Sequence, residues 1–151
     1  MNIIIAGAGK VGNALARQLA AEGHDLTIID HNSQVLEELV VRYDAIGIHG
    51  NCASKPTLLD AAVMEADLVI AVTNADELNM VCCMMAKSLG AAHTIARVRD
   101  PEYFKEMENM KEEKTITMET YFFIPSDDIV YIYELKAGNL RKNRGKRYKE
   151  K

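Results

Sequence analysis

Short apolar runs alternate with amphipathic helical stripes through the first two thirds of this chain, and that rhythm predicts an α/β fold built on a doubly wound parallel sheet. Two local features reinforce it. A β-branched run without polar alternation, Ile3-Ile4-Ile5, leads directly into Gly7-Ala8-Gly9-Lys10-Val11-Gly12, as a parallel strand buried on both faces would. An acid, Asp30, then closes the next apolar strand eighteen positions beyond the last glycine.

The elements follow in order. Val11, Ala14, Leu15 and Leu19 recur at helical spacing, and Gly23 suits the place just past the helix end where positive φ is wanted. Residues 2–30 therefore read as strand, helix, strand. Asn32 or Ser33 caps a second helix with Val35, Leu36, Leu39, Val40 and Tyr43 on one face. Ala45 to Ile48 makes a third strand, residues 50–54 a loop, and Pro56 the first turn of a short helix bearing Leu58, Leu59 and Ala62. Leu68 to Val72 is strand four, ended by Thr73-Asn74. Leu78, Val81, Cys82, Met85, Ala86 and Leu89 trace the next helix up to Gly90. Ile95 to Val98 is strand five. Asp100-Pro101 then opens a helix carrying Tyr103, Phe104 and Met107. Parallel pairing with right-handed crossovers arranges such a chain as a Rossmann-like sheet of order 3-2-1-4-5, with a ligand crevice over strands 1 and 4.

Composition sets the class. The chain has 151 residues, 48% of them hydrophobic, enough for one ordinary domain and too few for a large separate catalytic domain. No apolar stretch approaches about eighteen residues and the opening run is too short for a signal peptide, so a soluble cytosolic chain is expected. Three cysteines, two of them adjacent at Cys82 and Cys83, make no disulfide framework, and reduced thiols are expected. His24, His31, His49 and His93 lack metal-ligand spacing, so no metal is expected. The net charge of −4 hides an asymmetry: residues 141–151 carry seven Lys or Arg against one Glu, leaving the body with ten negative charges. An acidic body argues against nucleic acid as a partner, and the basic end reads as a disordered tail.

The residue types of the glycine turn match a nucleotide grip. Gly7 allows a tight turn, Gly9 lets backbone approach phosphate oxygens, and Gly12 lets the helix lie against the strand, while free amides at the helix start face the phosphates. Asp30 is placed to accept hydrogen bonds from ribose hydroxyls and to repel a 2′-phosphate, which favours NAD or an adenine nucleotide over NADP. Lys10 is within reach of a phosphate, although a solvated lysine would look the same. The Cys82, Met84 and Met85 group reads as core packing, and Cys52 as a small residue filling a turn.

At this point the chain resembles a known family, the nucleotide-binding N-terminal (KTN or RCK) domain of the Trk and Ktr potassium-uptake regulators. The resemblance rests on I-I-I-A-G-A-G-K-V-G at 3–12, G-H-D-L-T-I-I-D at 23–30, G-N-C-A at 50–53, D-L-V-I-A-V-T-N at 67–74 and I-A-R-V-R-D-P-E-Y at 95–103. It implies a non-enzymatic regulatory subunit that binds NAD(H), or alternatively ATP, ADP or AMP. Such a subunit assembles as a homodimer or ring and gates a membrane potassium channel or transporter from the cytoplasmic face. It further implies that Gly7, Ala8, Gly9, Lys10, Val11 and Gly12 form the phosphate loop and that Asp30 binds ribose, with His31 beside it. Asn51, Cys52 and Ala53 match the adenine-side turn, where relatives commonly carry an acid at the position of Asn51. Thr73 and Asn74 match the strand-4 loop, Asp76 and Asn79 the start of the following helix, and Arg97 a phosphate-directed base. Plainer roles stand beside these: Asn79 as a helix-start residue, Arg97 as the partner of Asp76 or Glu77, and His31 as an exposed loop residue.

The resemblance fades past Met107. Residues 1–110 therefore read as the nucleotide-binding domain, 111–140 as a β-rich extension and 141–151 as the basic tail. Within the extension, Thr115 to Ile124 and Ile129 to Leu135 read as strands joined by a turn over 125–128. A small NAD-dependent oxidoreductase and a thiol redox sensor are the alternative functions. The first is disfavoured because no Tyr-x-x-x-Lys pair lies near the sheet end.

Overall fold

A computed structural model of the protein describes residues 1–103 together with the strands 121–126, 129–136 and 139–143. Strand β1 (Asn2–Ala6) lies at the centre and pairs in parallel with β2 (Asp25–Asp30) on one side and β4 (Leu68–Ala71) on the other. β3 (Ile46–His49) extends the sheet beyond β2, and β5 (His93–Arg97) beyond β4, so the first five strands run 3-2-1-4-5 as expected. Helices α1 (Lys10–Ala21), α2 (Ser33–Tyr43), α3 (Lys55–Asp60) and α4 (Asp76–Ser88) cross between them, with a 3-10 turn at Val63–Glu65 before β4.

Both faces of the sheet are covered, which explains the unbroken apolar runs. Ile3 and Ile5 join Leu26, Ile28, Ala16 and Leu36 on the α1–α2 side, whereas Ile4 joins Ile29, Val69, Leu58 and Cys82 on the other. Successive residues of a strand point to opposite faces, so each strand supplies both layers. Ile5, Ile28 and Ile29 are fully buried, each worth about 1.5–3 kcal/mol of transfer free energy.

Helix ends follow the local chemistry. Past α1 the amide of Gly23 donates to Ala20 O and that of His24 to Leu19 O, a Schellman closure that needs the φ of +81° found at Gly23. Asn32 is the cap of α2, its Oδ1 accepting from the amides of Gln34 and Val35 at 3.1 and 3.2 Å. Ser54 caps α3, which ends at Asp60, so Ala62 lies in a left-handed turn beyond it and is not a helical face residue.

Two departures from the sequence pattern have clear causes. On α4 the buried face runs through Asp76, Asn79, Cys82, Cys83 and Ala86, while Val81 is 47% exposed. An apolar count misplaces that face because Asp76 and Asn79 meet all their polar partners inside the protein. Beyond β5 the sheet continues: β6 (Tyr121–Ser126) pairs in parallel with β5, and β7 (Ile129–Lys136) and β8 (Asn139–Asn143) follow antiparallel. Pro125 and Ser126 thus belong to β6 and not to a turn. Pro125 lies past Phe123, the last residue registered with β5, so its missing N–H costs that ladder nothing. β8 takes in residues 141–143 of the basic segment, where a disordered tail is expected from composition. Residues 115–120 of the expected first strand, and Phe104 and Met107 of the last helix, lie outside the described residues.

Candidate functional site

The carboxyl ends of the central strands surround a crevice of about 240 Å³, walled by Gly7, Ile29, Asp30, His31, Gly50, Asn51, Cys52, Thr73 and Leu78. It lies at the topological switch point, where the chain leaves β1 and β4 in opposite directions. Six of the residues singled out in the sequence, Gly7, Asp30, His31, Asn51, Cys52 and Thr73, therefore share one wall.

The three glycines of the first loop differ in what a side chain would meet. A Cβ on Gly12 would sit 1.8 Å from the carbonyl oxygen of Gly7, so α1 packs directly on the turn after β1. Gly7 has φ +108°, and its Cβ would fall 2.9 Å from the amide nitrogen of Thr73. Gly9 has nothing within 4 Å in the direction of a Cβ. Two glycines are thus required by the fold, and the third is bare toward open space. Gly9 also heads α1 without a capping side chain, and the amides of Lys10, Val11 and Gly12 find no acceptor among the described residues. Such a helix start favours an anion.

Asp30 is built into this loop. Its Oδ2 accepts from the amide of Ala8 at 2.6 Å and its Oδ1 from the amide of Asn32 at 2.8 Å. The side chain is only 12% exposed, yet a carboxylate has about four acceptor positions, so capacity remains for a ligand. The carboxylate therefore fastens the end of β2 to the loop after β1, a role not visible in the sequence. His31, beside it, is 90% exposed, with Nδ1 3.4 Å from Asp30 Oδ1. Its carbonyl meets His49 Nε2 at 2.9 Å.

After β3 the chain turns through Asn51, whose Oδ1 accepts from the amide of Ala53 at 2.9 Å. Ala53 thus serves the turn through its backbone. Cys52 lies in the crevice wall but is 4% exposed, and it belongs to the same buried cluster as Cys82 of α4. Interaction with the Cys82 thiol draws Cys52 below the ordinary thiol pKa against the effect of burial. The same interaction, with burial, pushes Cys82 well above it. Cys83 is sealed beneath β4 and pushed up to about 12 by burial.

The β4 loop is held from within. Asn79, fully buried, accepts through Oδ1 from the amide and hydroxyl of Thr73 at 2.8 and 2.6 Å. Its Nδ2 donates to the carbonyls of Thr73 and Arg97 at 3.2 and 2.9 Å. All four of its positions are occupied, so Asn79 ties the ends of β4 and β5 together and does not reach into the crevice. Asp76 is likewise turned inward: Oδ2 accepts from the amides of Arg99 and Asp100, each at 2.8 Å, and Oδ1 from Arg99 Nε at 3.3 Å. Arg99 also donates through Nη2 to the carbonyl of Asn74. The partner of Asp76 is thus Arg99 and not Arg97, whose half-buried guanidinium meets no polar partner among the described residues. Arg99 was missed because a two-residue offset in a loop has no periodic signature. The following helix starts at Pro101, where Asp100 Oδ1 accepts from the amide of Glu102 at 2.9 Å, and the Tyr103 hydroxyl donates to Glu77.

Among the described residues no cluster of His, Cys, Asp and Glu is placed to hold a metal ion. No described helix is long and apolar enough to cross a membrane.

Comparison with known proteins bears on this geometry. The TrkA-N domain profile matches residues 3–118. A Trk system potassium uptake protein TrkA from Vibrio alginolyticus is 38% identical over 134 residues, covering 88% of this chain and 29% of that protein. The chain spans between 23% and 51% of the length of the curated relatives it matches. Among solved structures, the Shewanella denitrificans Kef CTD in AMP-bound form has a TM-score of 0.58 at 22% identity, over 76% of this chain and 79% of that one. The GsuK channel bound to NAD has a TM-score of 0.61 at 17% identity, over 91% of this chain and 28% of that one. At these identities the solved structures speak for the fold. With the profile covering most of its length, the chain belongs to the TrkA-N domain family.

Proposed function

We propose that the crevice binds NAD(H), or alternatively ATP, ADP or AMP, and that occupancy regulates potassium transport. The observation that carries this reading is the bare surface over Gly9 beside amides of the α1 start that meet no acceptor among the described residues, on the loop whose Gly7 shares the crevice wall with Asp30. Phosphates take the amides, with Lys10 at the start of α1 and Arg97 at the end of β5 as cations that meet no ion-pair partner among the described residues. Ribose hydroxyls take the remaining acceptor positions of Asp30, and the base takes the Asn51–Ala53 turn. The names of the relatives, potassium uptake proteins, supply the process.

In this reading the chain is a regulatory part of a transport system and not an enzyme. His31 is the imidazole beside a carboxylate in the crevice, but it is 90% exposed and its one side-chain contact, to Asp30 at 3.4 Å, is longer than the reach of proton transfer. The domain works as a homodimer or ring at the inner face of the membrane, bound to a potassium channel or transporter subunit. Nucleotides that differ in affinity for two arrangements of that assembly by about 1–3 kcal/mol suffice to switch it.

Thermal shifts with NAD, NADH, ATP, ADP and AMP test the binding step. A nucleotide at a hundred times its Kd adds about 2.7 kcal/mol of stability, and Asp30→Ala is expected to remove most of that gain. A gain that survives the substitution undiminished would place the nucleotide elsewhere. Co-purification with a membrane potassium transporter tests the partner, and an unchanged NADH absorbance with carbonyl substrates tests the absence of hydride transfer.

A further inference from the structure

The sheet ends in two edges, β3 and β8, and their sequences differ. β8 includes Arg141 and Lys142, charges of the kind that keep sheet edges apart, whereas β3, Ile46-Gly47-Ile48-His49, has no Lys, Arg or Pro. The backbone of β3 is bare on its outer side. The amide of Gly50 donates to the Asp30 carbonyl at 3.0 Å, and in a parallel strand alternate residues turn both backbone groups to the same side. Ile46 and Ile48 therefore bond to β2, while Gly47 and His49 aim N–H and C=O away from it, where no described strand follows.

Apolar side chains flank that edge on both faces of the sheet. Ile46 and Ile48 share one face. Ile48 packs against the cluster that holds Leu58 and Cys82, but Ile46 is 64% exposed, beside a cleft of about 190 Å³ lined by Thr27, Ala61, Ala62 and Ala66. Gly47 turns to the other face, where a Cβ would lie 2.6 Å from Val40 of α2, and the neighbouring Val41 is 85% exposed.

We propose that β3 is the seam of a homodimer, pairing antiparallel with β3 of a second copy about a two-fold axis at Gly47 and continuing the sheet across both chains. The axis must pass through a residue that faces outward, and Gly47 is the central one. The two Gly47 residues then exchange both N–H···O bonds, and each His49 amide donates to the Ala45 carbonyl of the other copy. Ile46 of each copy falls opposite Ile48 of the other, in the closer, non-hydrogen-bonded position, which covers the exposed isoleucine. On the opposite face the same axis brings the two α2 helices alongside, each with its Val41. The strand is also compatible with itself in charge: Asp44, the nearest acid, falls opposite Gly50 and not opposite its own copy. A second copy is thus the occupant that this edge matches at both ends. The seam rests on the homodimer reading above and gives that dimer its contact surface.

The test uses the full chain. Sedimentation equilibrium over a range of concentrations is expected to show a monomer–dimer balance, and Ile46→Lys or His49→Pro is expected to weaken the dimer at least about tenfold. Ile46 is largely exposed and the His49 amide faces away from β2, so urea denaturation at low concentration should show both variants folded. Val81→Lys, on the exposed side of α4, is expected to leave association unchanged. In the unaltered chain, amide exchange followed by NMR should slow at Gly47 and His49 by at least about tenfold on going from monomer to dimer, a readout that needs no substitution. A dimer that survives both β3 substitutions, dissociates equally with Val81→Lys, or leaves those two amides unprotected would overturn the seam and leave the homodimer standing. A chain that stays monomeric at every concentration would overturn both, and nucleotide-dependent thermal shifts would still judge the crevice separately.

Discussion

The glycine loop offers a sharp test because its residues separate folding from binding. Gly9→Ala adds a methyl where nothing lies within 4 Å, at φ −70° and ψ −164°, a conformation alanine adopts freely. Alanine is a poorer N-cap than glycine by about 0.5–1 kcal/mol, and the lost freedom of the unfolded chain returns about 0.4–1 kcal/mol, so net stability should change by under about 1 kcal/mol. In a chain of this size that is a melting shift of no more than about 4 °C. In the proposed site the methyl nevertheless stands where phosphate oxygens would approach the amides, so the nucleotide-dependent gain of about 2.7 kcal/mol at a hundred times Kd should largely vanish. Gly12→Ala is the contrast. Its methyl would lie 1.8 Å from the Gly7 carbonyl oxygen, and relief requires moving α1 off the sheet, at a cost above about 3 kcal/mol. Chemical denaturation and thermal shifts on both variants give the two readouts. A Gly9→Ala protein with normal stability and a full nucleotide response would refute the reasoning, since the ligand would then not approach over that residue.

Other expectations follow from the same geometry. Asp30→Ala removes the acceptor for the Ala8 and Asn32 amides and should lower stability without ligand by about 1–3 kcal/mol, read by urea denaturation. Asn79→Leu strands the polar groups of Thr73 and the Arg97 carbonyl inside the protein, and a loss of about 3–5 kcal/mol is expected in the same assay. Asp76→Ala should destabilise well beyond Arg99→Ala, because the carboxylate is 7% exposed and the guanidinium 45%; equal losses would contradict the assignment. The Tyr103–Glu77 hydrogen bond holds Glu77 below its ordinary pKa and pushes Tyr103 up to about 12. That bond therefore contributes at neutral pH, weakens as acid protonates Glu77 and is lost in strong base near pH 12; Glu77→Gln should lower the Tyr103 titration seen by ultraviolet absorbance.

How far these features could be read in advance depended on whether they were local. The strand order followed from apolar runs and crossover geometry, and the turn at 7–12 announced itself because glycine spacing and a distant acid are linear features. Bonds formed across the chain were not visible. Asp30 reads as a sugar ligand by position, yet only the fold reveals that it also accepts from Ala8, twenty-two residues away. Asn79 looks like a helix-start polar residue, and its burial depends on four bonds, three to Thr73 after β4 and one to Arg97 at the end of β5. Val81 was assigned to the core for the same reason in reverse, because an apolar residue carries no mark of which side it faces once polar residues hold the inner one. Strand β8 was hidden by basic composition, which reports solubility more directly than pairing.

The short bond between Ala8 and Asp30 has a thermodynamic consequence. By joining two strand ends before any guest arrives, it lets folding meet much of the entropic cost of shaping the pocket, which an unfastened loop would otherwise charge against affinity. In the proposed regulator, a grip made rigid in this way has little room to deform on loading, and movement that carries a message outward is expected in parts that this latch leaves free.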